Sequence, residues 1–227
     1  MTPRAISRNL ARHLGLAAIL CCLAAPVQAC RLALALTIDV SGSIDPAEYR
    51  FQMDGLADAL ADPIISEALV QAQAAVMVVQ WSGAQDQEIS IPWRRITDFD
   101  TADQLALQVR QIKRRWYGGK TAIGDALDHV IDQFAQVPDC TRRVIDVSGD
   151  GQLNDGTELA DARGRARAGG FTVNGVAIDR VGRSITQFYR QHLMTGPNSF
   201  VVTSRGYSDY PETIRKKLFR EVVVPAF

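Results

Sequence analysis

Five side chains on three short segments offer the chemistry in this sequence. Asp39-Val40-Ser41-Gly42-Ser43 follows the apolar run Leu32-Ala33-Leu34-Ala35-Leu36-Thr37-Ile38. That run reads as a buried strand. One carboxylate and two hydroxyls therefore crowd its C-terminal end, the edge where open α/β sheets bind ligands. Gly118-Gly119-Lys120-Thr121 stands just before a helical pattern, and Ser148-Gly149-Asp150-Gly151 closes a second apolar run. In a right-handed βα wind the three loops share one sheet edge. Ser41, Ser43 and Thr121 then offer neutral oxygens, Asp39 and Asp150 offer two negative charges, and the glycines let the backbones approach closely. An oxygen set without histidine or cysteine suits Mg²⁺, Mn²⁺ or Ca²⁺ rather than zinc. Mg²⁺ takes about six ligands and usually keeps waters. Such a site leaves a position for an outside ligand, and a partner's Asp or Glu is the natural one.

Catalytic alternatives find less support. Phosphoryl transfer from a strand-end aspartate usually shows Asp-x-Asp, and Ser41 occupies the second place. A serine hydrolase would need Gly-x-Ser-x-Gly and a histidine base. Ser148 has Asp146 and Asp150 on either side, and only His129 and His192 lie beyond residue 29. Gly-Gly-Lys-Thr is not a P-loop, because Arg114 stands where the first glycine belongs. Asp45 reads as a helix cap, Asp146 as a buried structural carboxylate, and Asn154 and Asp155 as turn and cap residues. Trp116 and Tyr117 beside the second loop read either as a rim for a partner or as packing. Lys113-Arg114-Arg115 and Arg163, Arg165 and Arg167 read as solvated helix faces or ends.

The elements that must hold these loops alternate strand and helix. Asp45-Pro46-Ala47-Glu48 carries the cap, first-turn proline and third-position glutamate of a helix start. This helix runs to about Ala61. Ala74 to Trp81 reads as a strand buried on both faces. Gln87 to Ile91 reads as an antiparallel edge strand ending at Pro92. Asp100 is expected to cap a helix to about Ile112. Ile123, Ala126, Leu127, Val130, Ile131 and Phe134 mark the next helix. Arg143 to Ser148 is the fourth strand. A helix from about Thr157 to Gly169-Gly170 leads to a fifth strand, Phe171 to Ile178. Helix Ile185 to His192, strand Ser199 to Thr203 and a helix after Asp209 complete the chain. The 227 residues, 47% hydrophobic and 22% charged, suit one domain. The expected fold class is α/β: a doubly wound, mostly parallel six-stranded sheet with one antiparallel edge strand and helices on both faces.

Residues 1–29 read as a signal peptide. Arg4, Arg8 and Arg12 precede the apolar stretch Leu14 to Leu23, and Val27-Gln28-Ala29 ends in a small residue. The stretch is shorter than the ~20 residues of a spanning helix. Cleavage would leave 22 basic residues against 25 acidic ones. That balance argues against nucleic acid, and no basic patch is interleaved with aromatics. The expected location is periplasmic or secreted, with no transmembrane segment in the mature domain, 30–227. Cys30 and Cys140 are then the remaining cysteines. If the strands they precede are parallel neighbours, both lie at the edge opposite the Asp39 loop and a disulfide is expected. The alternative is a lipid anchor on Cys30, since Val27-Gln28-Ala29-Cys30 is like a lipobox.

Asp-x-Ser-x-Ser after the first strand, Thr121 in its glycine-rich loop and Ser-Gly-Asp-Gly after the fourth strand resemble the metal-ion-dependent adhesion site (MIDAS) of von Willebrand factor type A domains. The resemblance covers essentially the whole mature chain. It implies a Rossmann-like doubly wound sheet whose first and fourth strands are neighbours, which supports the Cys30–Cys140 bridge. It implies that Ser41, Ser43 and Thr121 bind the ion directly, with Asp39 and Asp150 acting directly or through water. The third loop departs from the family's more usual Thr-Asp-Gly but keeps its aspartate. The chain is also similar to exported bacterial single-domain members. The expected function is divalent-cation-dependent binding of a protein ligand, with no enzyme activity. The alternatives are a metal-dependent hydrolase or phosphatase at the same site, or a structural module whose ion ties loops together.

Overall fold

The computed structural model describes residues 29–180 and 182–223. The signal-peptide reading, apart from Ala29, thus falls outside the described residues. Six strands form one sheet: β1 (Leu32–Asp39), β2 (Ala75–Trp81), β3 (Gln87–Arg95), β4 (Arg142–Gly149), β5 (Thr172–Ile178) and β6 (Val201–Ser204). Their spatial order is β3-β2-β1-β4-β5-β6, and only β2 with β3 pairs antiparallel. The fold class expected from sequence is the one observed. The chain winds one way from β1 and the other way from β4, so the direction reverses between these neighbours. A crevice at such a switch point is where doubly wound sheets hold ligands.

Side-chain size alternates along β1 with the strand period of two. Leu32, Leu34, Leu36 and Ile38 face one core, while Ala33 and Ala35 face the other. The first core is covered by α1 (Pro46–Leu60), α2 (Pro63–Gln71), α3 (Phe99–Gln111) and α7 (Tyr210–Val222). The second lies under α4 (Ile123–Gln133) and α5 (Leu159–Ala168). The short helix α6 (Ser184–Phe188) continues into a wider π turn, Tyr189–Leu193. Among the described residues no helix is long and apolar enough to cross a membrane.

Three elements differ from the sequence reading. The stretch from Pro63 to Gln71 is a helix, because Asp62 accepts hydrogen bonds from the Ile64 and Ile65 amides and Pro63 occupies the first turn. Helix α3 is capped by Asp98, not Asp100: Asp98 and Thr101 satisfy each other's backbone amides. Strand β3 continues through Pro92 to Arg95, which an edge strand tolerates because its outer amides need no ladder partner. The cap at Asp45 is as expected, with Glu48 closing the capping box.

Leu32 pairs with Arg142, so Cys30 and Cys140 meet two residues upstream at the edge opposite the loops. They form the disulfide, with Cα atoms 4.4 Å apart and a sequence separation of 110. The bridge engages the sulfur that the alternative reading gave to a lipid. Closing so long a loop restricts the unfolded chain strongly. The Cys30→Ser/Cys140→Ser double variant is expected to lose about 2–5 kcal/mol of stability, read as a lower urea midpoint. An equal midpoint in both proteins under oxidising conditions would contradict this.

Candidate metal centre

The β1 strand delivers Asp39 to its C-terminal end at full burial. Its Oδ1 accepts a hydrogen bond from the Ser41 amide at 2.7 Å, which bends the chain sharply and turns the Ser41 side chain inward. Oδ2 is buried and has no hydrogen-bond partner among the described residues. Burial pushes this carboxyl up to about 7, against the lowering effect of the Ser41 hydrogen bonds. An ionised carboxylate held dry with an orphaned oxygen lacks a compensating positive charge.

The neutral donors gather beside it. Ser41 Oγ lies 3.3 Å from Ser43 Oγ and 3.5 Å from Thr121 Oγ1. Ser43 Oγ donates to Asp150 Oδ1 at 2.6 Å. The five residues singled out in the sequence are therefore brought together from three loops across the β1–β4 switch point. Ser41 and Thr121 are buried, whereas Ser43 is exposed, so the cluster opens outward on the Ser43 side. Among the described residues no three His, Cys, Asp or Glu side chains form a metal-holding group, so the donor set is mainly hydroxyl oxygen. That set fits a hard divalent cation, and the orphaned Asp39 oxygen is the charge such an ion would meet.

Two glycines make the approach possible. The Gly42 amide donates to the Gly119 carbonyl at 3.0 Å, and a Cβ on Gly42 would sit 3.0 Å from the Gly119 nitrogen. A Cβ on Gly149 would sit 2.6 Å from the Tyr189 hydroxyl and 2.9 Å from Asp39 Oδ2. The β4 loop thus passes directly over the buried carboxylate.

Several residues that position the site gave no motif. Arg114 does not lie on a solvated helix face as expected from sequence. It follows α3 in an extended segment and is 8% exposed. Its guanidinium donates to the carbonyls of Ile44, Val40 and Ser41 at 2.6, 3.0 and 2.9 Å, clamping the Asp39–Ser43 loop from below. Asn154 accepts from the Thr121 amide at 2.8 Å, and its own amide donates to the Thr121 carbonyl. Asn154 thus fixes Thr121 rather than forming a turn, and Asp155 caps no helix, since α5 begins after Glu158. Asp155 accepts from the Ala84 amide and faces Lys120. Trp116 packs on the core, whereas Tyr117 is 74% exposed with Arg114 over its ring.

The groups considered for catalysis sit elsewhere. Ser148 Oγ shares a 3.1 Å hydrogen bond with Tyr210. His129 is half-buried on α4, which pushes its imidazole pKa down, and His192 packs against Phe188. Asp146 is a buried structural carboxylate, as read from sequence; it pairs with Lys217 at 2.5 Å.

Comparison with known proteins supports the fold. A family model described as "Protein of unknown function (DUF1194)" matches residues 29–226. No curated protein sequence matches the chain. Among solved structures, proximal thread matrix protein 1 from the mussel byssus is similar at 21% identity, with a TM-score of 0.65 over 84% of this chain and 47% of that one. A further structure of that protein, described as having a zinc-occupied MIDAS motif, matches at 22% identity and the same TM-score and coverage. A von Willebrand factor type A protein from Catenulispora acidiphila matches at 18% identity and a TM-score of 0.62, over 85% of this chain and 43% of that one. At such identities the likeness shows the fold, which is von Willebrand factor A-like. The chain spans about half the length of the solved proteins it matches.

Proposed function

The chain belongs to the DUF1194 family, and we propose that it is a divalent-cation-dependent binding module of the bacterial cell envelope, periplasmic or secreted. Its ion would be held by Ser41, Ser43 and Thr121, with Asp39 and Asp150 as the charged groups. When bound, the ion supplies an electrophilic centre for a carboxylate of a protein partner. The observation that carries this reading is the convergence of three hydroxyls from two loops beside a buried carboxylate with an unpaired oxygen. The zinc-occupied MIDAS motif of a structural neighbour supports a divalent ion in general. The all-oxygen donor set favours Mg²⁺, Mn²⁺ or Ca²⁺.

Titration of the metal-free protein with Mg²⁺ and Mn²⁺ tests the site. Wild type should bind one ion per chain, and Ser41→Ala should bind at least about tenfold more weakly. Equal affinity in the two proteins, or no binding by wild type, would refute the assignment.

A further inference from the structure

The sheet edge continues past the five expected residues. The strand order places the loops after β5 and β6 next to the loop that carries Asp150. Gly149 pairs with Ala177, and Ile178 pairs with Ser204, so these loops leave the sheet side by side. From the first comes Arg180. Its Nη2 donates to the Ser43 carbonyl and Glu48 at 2.9 Å each, and to Asp150 Oδ2 at 3.2 Å. From the second comes Tyr207, 5% exposed, with its ring 5.5 Å below the Arg180 guanidinium. The Tyr207 hydroxyl is buried without a hydrogen-bond partner among the described residues, and burial together with the nearby Asp150 and Asp39 holds it protonated.

We propose that Arg180, seated on Tyr207, is the specificity residue of the site: it makes the second contact to the partner's acidic group, beside the cation. This rests on the cation-binding reading above and extends it. Three observations point to it. Arg180 touches one oxygen of Asp150 while Ser43 holds the other, so the guanidinium stands one carboxylate's width from the hydroxyl cluster. Among the described residues all its carboxylate contacts use Nη2, and none uses Nη1 or Nε. Its side chain is 50% exposed, whereas that of Asp150 is 4% exposed, so an incoming anion meets the guanidinium before the aspartate. A planar fork of this kind binds a carboxylate through two parallel hydrogen bonds. The Tyr207 ring beneath the guanidinium adds a cation–π contact.

The test separates ion binding from anion binding. Mn²⁺ affinity is measured by titration, and binding of a fluorescein-labelled Gly-Asp-Glu-Gly peptide is measured by anisotropy at saturating Mn²⁺. Arg180→Gln should weaken peptide binding by about tenfold or more, with Mn²⁺ affinity unchanged or tighter, because Asp150 loses a competing cation. Arg180→Lys should recover only part of the peptide affinity, since it keeps the charge and loses the fork. Equal peptide affinity in wild type and Arg180→Gln overturns the proposal. So does a parallel fall in Mn²⁺ affinity, which would make Arg180 a loop brace. Wild type that binds Mn²⁺ but not the peptide overturns the role of Arg180 alone. Wild type that binds neither overturns the metal site as well.

Discussion

Replacing Lys217 with methionine is expected to cost about 3–5 kcal/mol, the largest loss of any single exchange away from the loops. Lys217 is fully buried on α7. Its ammonium contacts Asp146 at 2.5 Å and Glu221 at 2.6 Å, both also buried. Asn174 donates to Glu221 from β5, so four groups tie α7 to the middle of the sheet. Methionine keeps most of the volume but leaves two carboxylates facing each other without a cation, and a buried charge stripped of its partner is the costly case. The loss should be read as a lower urea midpoint. Adding Glu221→Gln should return part of it, since only one acid then remains. If the double variant is as unstable as the sum of the two singles, the groups do not act as a unit.

The same network has a pH signature. Burial raises the Asp146 carboxyl and Glu221 adds to this, while Lys217 opposes both. The folded protein therefore binds a proton more tightly than the unfolded chain. By linkage the stabilisation is complete below the unfolded value of 3.8 and is lost as pH rises through the folded value of about 7. Asp146→Asn should flatten the stability curve between those limits. A wild-type curve already flat there would contradict the burial argument.

What was legible in the chain depended on how far apart the cooperating residues lie. Asp39, Ser41 and Ser43 are spaced by two from a strand end, and Thr121 and Asp150 sit in glycine-marked loops, so residue type and spacing single out five residues that the fold brings together. Arg114, Arg180 and Tyr207 come from segments with no motif, and each works through a carbonyl, a carboxylate or a ring that only the folded chain brings near. A run of three basic residues ordinarily marks a solvated face, but here the carbonyls of Ile44, Val40 and Ser41 draw the middle one inward. Asp146 was legible as a buried acid within an apolar strand. Its partner was not, because Lys217 and Glu221 have the spacing of an ordinary exposed helix pair. The helix from Pro63 has no place in the sequence reading, although Asp62 before the proline is a cap that makes it a helix start. The fold class survived these errors because it rests on the long buried strands, whose period and composition leave few alternatives.

Asp39→Asn should abolish ion binding without harming the metal-free fold, so the two proteins exchange rank when a divalent ion is added. Asparagine retains an oxygen for the Ser41 amide, so the hydrogen bond that turns the chain after β1 is kept. It removes a buried charge whose second oxygen has no partner. In EDTA the variant should be as stable as wild type or more stable by about 1 kcal/mol, the scale of one unsatisfied buried group. Ion affinity should fall at least about 100-fold, because even groups outside the first ligand shell are worth 10- to 100-fold. Wild type at 100 times its dissociation constant would gain about 2.7 kcal/mol from the bound ion, and the variant at the same concentration close to nothing. Thermal unfolding with and without Mn²⁺ reads both effects in four traces. A variant less stable than wild type in EDTA by more than about 1 kcal/mol would mean that Asp39 is a structural acid. An equal shift with Mn²⁺ would mean that the ion binds elsewhere. The crossing of the curves is the signature of a site that stores an unfavourable charge in the empty fold and recovers its cost on binding.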